Sequence, residues 1–265
     1  MTTELVIVLI LSGIFVGFIN TLAGGGTLIS MSLFMMLGLP PMVANGTNRI
    51  AVILQNLVSV FNFHRDKKLD IRKAVYCTIP VAIGSLLGSC LSLVIADDIF
   101  IIFFVIIMAI MLLLMFFKPD KWLVGDVVKM QKPISLLQLV FYFLIGVYAG
   151  FIHIGMGYFL LAVLVLMGGF DLLRANAIKS FIVLCYAPFS LILFIYHDMI
   201  NYEYGLIHAV GNMIGAYIAS KWAVSWGTNF IRWIVVIFAV LSCLHILHII
   251  EFEDIFGWIL NSNND

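Results

Sequence analysis

Residues 44–50 read ANGTNRI, and residues 175–181, which lie 131 positions further on, read ANAIKSF. The same offset sets Gly24 against Gly155, Gly26 against Gly157, Asp70 against Asn201 and Gly84 against Gly215. With a two-residue gap it reaches back to Gly13 and Gly17 against Gly146 and Gly150. Self-similarity at one fixed offset marks a chain assembled from two copies of one unit. Composition says what kind of unit. The chain is 63% hydrophobic and 11% charged, with a mean hydropathy of +1.16. Soluble domains carry roughly 25% charge because their surface meets water. Here most of the surface must meet lipid. Residues 100–117 are apolar on all sides, and 230–250 are mostly apolar, broken by Arg232, His245 and His248; both are comparable with the roughly 20 residues needed to span a bilayer. The alternation of outer-membrane strands is absent, so the fold class is all-α: a polytopic integral membrane protein of two homologous halves.

The predicted helices of the first half fall at about 5–22, 27–38, 44–63, 71–95 and 98–117. Those of the second fall at about 134–152, 157–168, 174–196, 202–221 and 228–250. The longest polar stretch, 118–133, separates them. The expected divisions are a first transmembrane repeat (1–117), a cytoplasmic linker (118–133), a second repeat (134–250) and an acidic tail (251–265). The segment 27–38 is short. At 1.5 Å per residue it covers about 18 Å of a hydrocarbon core of about 30 Å. It is either half of a re-entrant hairpin or an oblique crossing, which leaves eight or ten spans. The N-terminus lacks the basic region of a cleavable signal, so its first apolar stretch is expected to be retained.

Charge orients the halves. Arg65, Lys67, Lys68, Arg72 and Lys73 crowd the first long loop, and Lys118, Lys121, Lys129 and Lys132 sit in the linker. Both are expected on the cytoplasmic side. The second-half counterpart of that loop, 197–204, carries Asp198 and Glu203 but neither Lys nor Arg. Lys221 then marks the next loop as inside. Five crossings per half produce this reversal, which predicts inverted repeats, an arrangement that in secondary transporters centres the substrate site near the midplane.

Gly24, Gly25 and Gly26 interrupt the apolar pattern, since each glycine costs a helix about 1 kcal/mol relative to alanine. Gly155 and Gly157 occupy the matching place. Unwound backbone inside a membrane survives only where protein or a wet cavity satisfies it. The breaks are therefore candidate linings of a solute site, with the N–H groups of 27–30 and 158–161 expected to favour an anion. The Gly13–Gly17 and Gly84–Gly88 spacings read instead as close helix packing. A nucleotide loop is excluded, because neither a preceding strand nor a P-loop lysine is present.

Polar groups cluster beside the breaks: Asn45, Thr47, Asn48 and Arg49 in the first half, Asn176 and Lys179 in the second. Charges entering the bilayer are costly unless paired or hydrated, so they default to functional hypotheses. A small anion between the halves would compensate both cations; alternatively the two side chains snorkel to headgroups. Asn20 and His153 precede the two breaks and can reach the same space, and His208 and Asn212 share a helix face. His245, His248 and Glu251 only superficially resemble metal ligands; an interfacial position suits them, and no metal or cofactor is expected. Trp222, Trp226, Trp233 and Trp258 read as interfacial anchors. Cys77, Cys90, Cys185 and Cys243 lie singly in apolar segments as packing residues. With zero formal net charge and no basic block, nucleic acid is not an expected partner. An enzyme would need a nucleophile–base set or a metal cluster, and the polar inventory offers neither.

These motifs resemble the sulfite exporter TauE/SafE family of membrane transporters. The matching features are G13-x-x-x-G17 followed by G24-G25-G26, then L37-G38-L39-P40, A44-N45-G46-T47 and the basic loop ending near Leu69-Asp70. The second copy is G146-x-x-x-G150 followed by G155-x-G157 and A175-N176-A177-I178-K179-S180. The resemblance covers nearly the whole chain except its tail. It implies a carrier of a small sulfur-containing anion, such as sulfite or a sulfonate, in a bacterial inner membrane, with Asn45, Thr47, Asn48, Asn176 and Lys179 in the motif region. The alternatives on the same architecture are an anion channel or a membrane protein that carries a different small solute. Thr27, the pair Asn20-Thr21, and His153 in place of a small residue depart from the family pattern.

Overall fold

A computed structural model of the 265-residue chain describes residues 1–22, 24–96, 98–106 and 126–222. The expected helix at 228–250, the tail, Cys243, Trp226, Trp233, Trp258, His245, His248, Glu251 and all of 107–125 lie outside the described residues, as does the side chain of Trp222. The described chain is helical: α1 (Thr3–Leu22), α2 (Thr27–Met36), α3 (Pro41–Arg65), α4 (Ile71–Val94), α5 (98–106), α6 (Val127–Gln131), α7 (Leu136–Phe151), α8 (Met156–Ala162, continued by a π-helical turn, Val163–Met167), α9 (Leu172–Tyr196) and α10 (Tyr202–Trp222). Among the described residues, α1, α4 and α9 are long and apolar enough to cross a membrane.

Burial is inverted relative to a water-soluble protein. Leu11, Phe61, Ile83 and Ile192 are exposed, while α3 buries Asn45, Thr47, Asn48, Arg49, Gln55, Asn56 and Ser59. Exposed apolar side chains want hydrocarbon around them, and a buried polar helix wants partners inside. The polar residues make α3 the central spine of an integral membrane protein.

Two bundles surround that spine. In one, α10 packs along α1 and α3; in the other, α4 packs along α7 and α9. Each bundle thus takes its α4-type helix from the opposite half of the sequence, and α3 meets α9 where the bundles join. Glycines allow the closest approaches. A Cβ on Gly17 would fall 2.1 Å from the carbonyl oxygen of Asn212, and one on Gly215 would fall 1.9 Å from that of Ile14. In the other bundle a Cβ on Gly88 would fall 1.9 Å from the oxygen of Val147, and one on Gly150 would fall 2.0 Å from that of Ser85. The expected small-residue packing of Gly13–Gly17 and Gly84–Gly88 is realised, and backbone meets backbone in both bundles.

The two long connections fold alike. After α3, Lys67 turns left-handed (φ +55°), Lys68 N–H donates to Phe63 O, and Asp70 caps α4 by accepting from Lys73 N–H at 3.1 Å. After α9, Asp198 turns left-handed (φ +54°), Met199 N–H donates to Phe194 O, and Asn201 caps α10 by accepting from Tyr204 N–H at 3.0 Å. Both are Schellman-type endings followed by a side-chain N-cap. Asp and Asn serve equally there because each offers one oxygen to the orphan N–H.

Candidate functional site: two broken helices capped across the bundle interface

The first break is closed by Asn20. Its Oδ1 accepts from Thr27 N–H at 3.1 Å and its Nδ2 donates to Thr27 Oγ1 at 3.4 Å, so one side chain spans Gly24, Gly25 and Gly26 and starts α2. Gly24 is left-handed (φ +83°), as is Gly155 in the second break (φ +62°), where a side chain would be strained. The breaks touch: a Cβ on Gly24 would lie 2.5 Å from the Cα of Gly157. Of the N–H groups expected to face an anion, those of residues 27–30 and 158 are occupied in this conformation. Those of Leu28, Ile29 and Ser30 donate to Gly25 O and Gly26 O, and that of Tyr158 donates to Gly155 O. Segment starts one residue past a glycine turn simply close their own first turn.

The polar motif acts across the interface. From α9, Asn176 Nδ2 donates to Leu22 O at 3.1 Å, and Lys179 Nζ donates to Asn20 O (2.9 Å), Thr21 O (3.1 Å) and Asn176 Oδ1 (2.7 Å). From α3, Asn45 Nδ2 donates to Phe151 O at 3.0 Å, and Arg49 Nη2 donates to Gly150 O at 2.6 Å, with Ala149 O and Asn45 Oδ1 each at 3.5 Å. Each motif therefore places one amide and one cation on the C-terminal carbonyls of the other half's broken helix. Four carbonyls per helix end lack internal partners, and the helix dipole favours positive charge there. Both cations are buried, Arg49 at 0% and Lys179 at 3% exposure, so neither snorkels to a headgroup. Among the described residues the ion pairs are Arg65–Asp66, Lys129–Asp126 and Arg174–Asp171, all away from this place. Arg49 instead stacks 4.7 Å from the Phe194 ring centre.

Not every polar atom here is satisfied. Arg49 Nε and Nη1, both amide atoms of Asn48, and Ser180 Oγ are buried with no hydrogen-bond partner among the described residues. In the repeat register Ser180 matches Arg49, and Asn48 matches Lys179. His153 is left-handed (φ +59°), and its Nδ1 lies 2.7 Å from Tyr186 OH. Thr47 departs from the cluster. Its Oγ1 accepts from Asn201 N–H at 2.8 Å, because two residues along a helix turn it away from the face of Asn45 and Arg49. His208 and Asn212 also lie elsewhere: His208 joins Ser30 Oγ (2.9 Å) and Leu9 O (3.0 Å), tying α10 to α1 and α2.

Ser180 and Tyr186 stand in the repeat register of Arg49 and Gln55 but carry no site role from sequence, and Phe194 is not marked by the sequence at all. Tyr186 stands seven residues after Lys179, two turns along the same helix face, and that spacing was the available signal. Phe194 carried none, because a ring that receives a guanidinium looks like any lipid-facing Phe.

A buried polar spine around two broken, mutually capped helices is the architecture of a membrane transporter. The chain belongs to the sulfite exporter TauE/SafE family, whose model matches residues 9–246. It is 30% identical over 236 residues to a probable membrane transporter protein of Haemophilus influenzae, covering 88% of this chain and 91% of that one. It is 24% identical over 231 residues to the probable membrane transporter protein ORF9 of a Sinorhizobium species (87% and 88% covered). It is also 24% identical over 244 residues to the probable membrane transporter protein YfcA of Escherichia coli K12 (92% and 90% covered). No solved structure matches the chain.

Proposed function

We propose that this protein is a secondary transporter that moves a small anion of the sulfite or sulfonate class across a bacterial inner membrane by alternating access. Residues 1–117 and 134–250 form inverted repeats joined by a cytoplasmic linker, and the chain crosses the membrane several times. The observation that carries the reading is Arg49: fully buried, without an acidic partner among the described residues, and with Nε and Nη1 unpartnered, while Asn48 on the same helix and Ser180 on α9 also bury unpartnered polar atoms. Leaving buried donors unmatched costs about 1–3 kcal/mol each, and a transient oxyanion would match them. The family supports the sulfur-anion class through its name. The identical connections after α3 and α9 support the repeat.

The moving bodies are the two bundles rather than the two sequence halves, because each half contributes helices to both. Contact between Gly24 and Gly157 closes the path at the breaks, which supports a carrier over an open pore. Rocking would separate the breaks and exchange the caps on α1 and α7 for solute and water. No nucleophile or metal is needed for this cycle.

Radiolabelled sulfite and sulfoacetate flux in proteoliposomes tests the reading, comparing wild type with Arg49→Gln at fixed voltage and pH. Saturable, trans-stimulated flux lost in the variant is expected. Large non-saturating currents would replace the carrier with a channel, and unchanged saturable flux in Arg49→Gln would remove Arg49 from the site.

A further inference from the structure

At the lysine-rich face of the molecule, away from the glycine breaks, a cavity of about 300 Å³ opens between the start of α4, α6, the start of α7 and the loop after α8. Its lining includes Lys73, Lys129 and Lys132, and no Asp or Glu among the described lining residues. The nearby acids are engaged. Asp126 caps α6 through Val128 N–H and Lys129 N–H and reaches Lys129 Nζ at 4.0 Å; Asp171 caps α9 and pairs with Arg174 at 3.4 Å. Asp70 caps α4 through Lys73 N–H, and among the described residues Lys73 makes no ion pair: its ammonium donates to Met130 O and lies 5.3 Å from the Phe170 ring centre. Among the described residues the ammonium of Lys132 has no recorded partner.

The rest of the lining is largely apolar, with Ile134, Tyr142, Leu166 and Phe170. On α6 and at the start of α7, the helices that supply part of the lining, Val127, Val128, Leu136 and Leu137 are each more than half exposed. Apolar side chains pointing outward next to lysines mark a membrane–water boundary, and basic pockets between helices at such a boundary suit lipid headgroups. We propose that this cavity binds a phosphate group at the membrane surface, held by Lys73, Lys129 and Lys132. The same chemistry is offered by an anionic phospholipid, whose chain would follow the apolar wall, and by free inorganic phosphate. The site stands independently of the transported solute.

Native mass spectrometry of the delipidated full chain in detergent, given equal phosphatidylglycerol and phosphatidylethanolamine, tests it. Preferential phosphatidylglycerol adducts are expected, weakened about fivefold for each lysine removed in Lys73→Gln and Lys132→Gln and retained in the corresponding arginine variants. A parallel arm measures thermal stabilisation by inorganic phosphate. Stabilisation of wild type but not of the Lys73→Gln/Lys132→Gln variant, without lipid preference, would assign the site to a free anion. No lipid preference and no phosphate effect would overturn the proposal, as would a preference that the glutamine variants leave intact.

Discussion

Asn45 and Asn176 perform the same task with a neutral side chain, although each also accepts from its neighbouring cation, Asn176 Oδ1 from Lys179 at 2.7 Å and Asn45 Oδ1 from Arg49 at 3.5 Å. Each holds one carbonyl at the end of the other half's broken helix. Interhelical hydrogen bonds in membranes are worth about 0.6–2 kcal/mol. Asn45→Leu and Asn176→Leu are each expected to lower stability by about that much, read as a drop in thermal midpoint in detergent. Lys179 differs, because the three bonds it makes are set against a charge whose placement in the bilayer costs about 2.5–3.5 kcal/mol. Gains and cost nearly cancel, so Lys179→Met should shift the midpoint less than Asn176→Leu does while abolishing anion flux. A larger destabilisation than that of Asn176→Leu would make Lys179 a structural cap. The sequence exposed these residues as a repeated polar motif in an apolar chain. It did not show that they reach across the interface, since which helix end lies opposite α3 or α9 depends on tertiary packing.

Helix pairs in this fold are held by shape more than by side-chain chemistry, and their glycines are legible as spacings. Gly88 shows the consequence: an added methyl would sit 1.9 Å from Val147 O, an atom of the α7 backbone with no freedom to rotate aside. Gly88→Ala must therefore push α4 from α7, an overpacking cost of about 1–3 kcal/mol. Cys90, two residues on and exposed, serves as the control; Cys90→Ala should fall within about 0.5 kcal/mol of wild type. Equal midpoints for the two variants in chemical or thermal unfolding would show that the helices are less tightly apposed than this. Element boundaries followed sequence closely wherever a cap was written into it, as at Asp70 and Asp171. The start of α3 did not. Pro41 opens the helix three residues before the expected boundary at 44, since proline at a first helical position loses no hydrogen bond.

At the scale of the whole molecule, the proposed duplication and the packed bundles divide the chain differently. Self-similarity pairs α1 to α4 with α7 to α10, yet α4 and α10 each join the opposite set. Periodicity reports which face of a helix is apolar, not which neighbour covers it, so this exchange was invisible before the fold. It carries a consequence for orientation. If the halves are inverted, the equivalent turns at Lys67 and Asp198, alike in backbone and both exposed, lie on opposite membrane faces. The positive charge around Lys67 and its absence around Asp198 agree with that. In whole cells, a membrane-impermeant maleimide should label Asp198→Cys and leave Lys67→Cys unlabelled until the membrane is permeabilised, in a background lacking the four native cysteines. Labelling of both positions from one side would mean parallel halves. The two bundles would then lack the symmetry by which exchanging their conformations turns an inward-open state into an outward-open one, and alternating access by that exchange would fail with it.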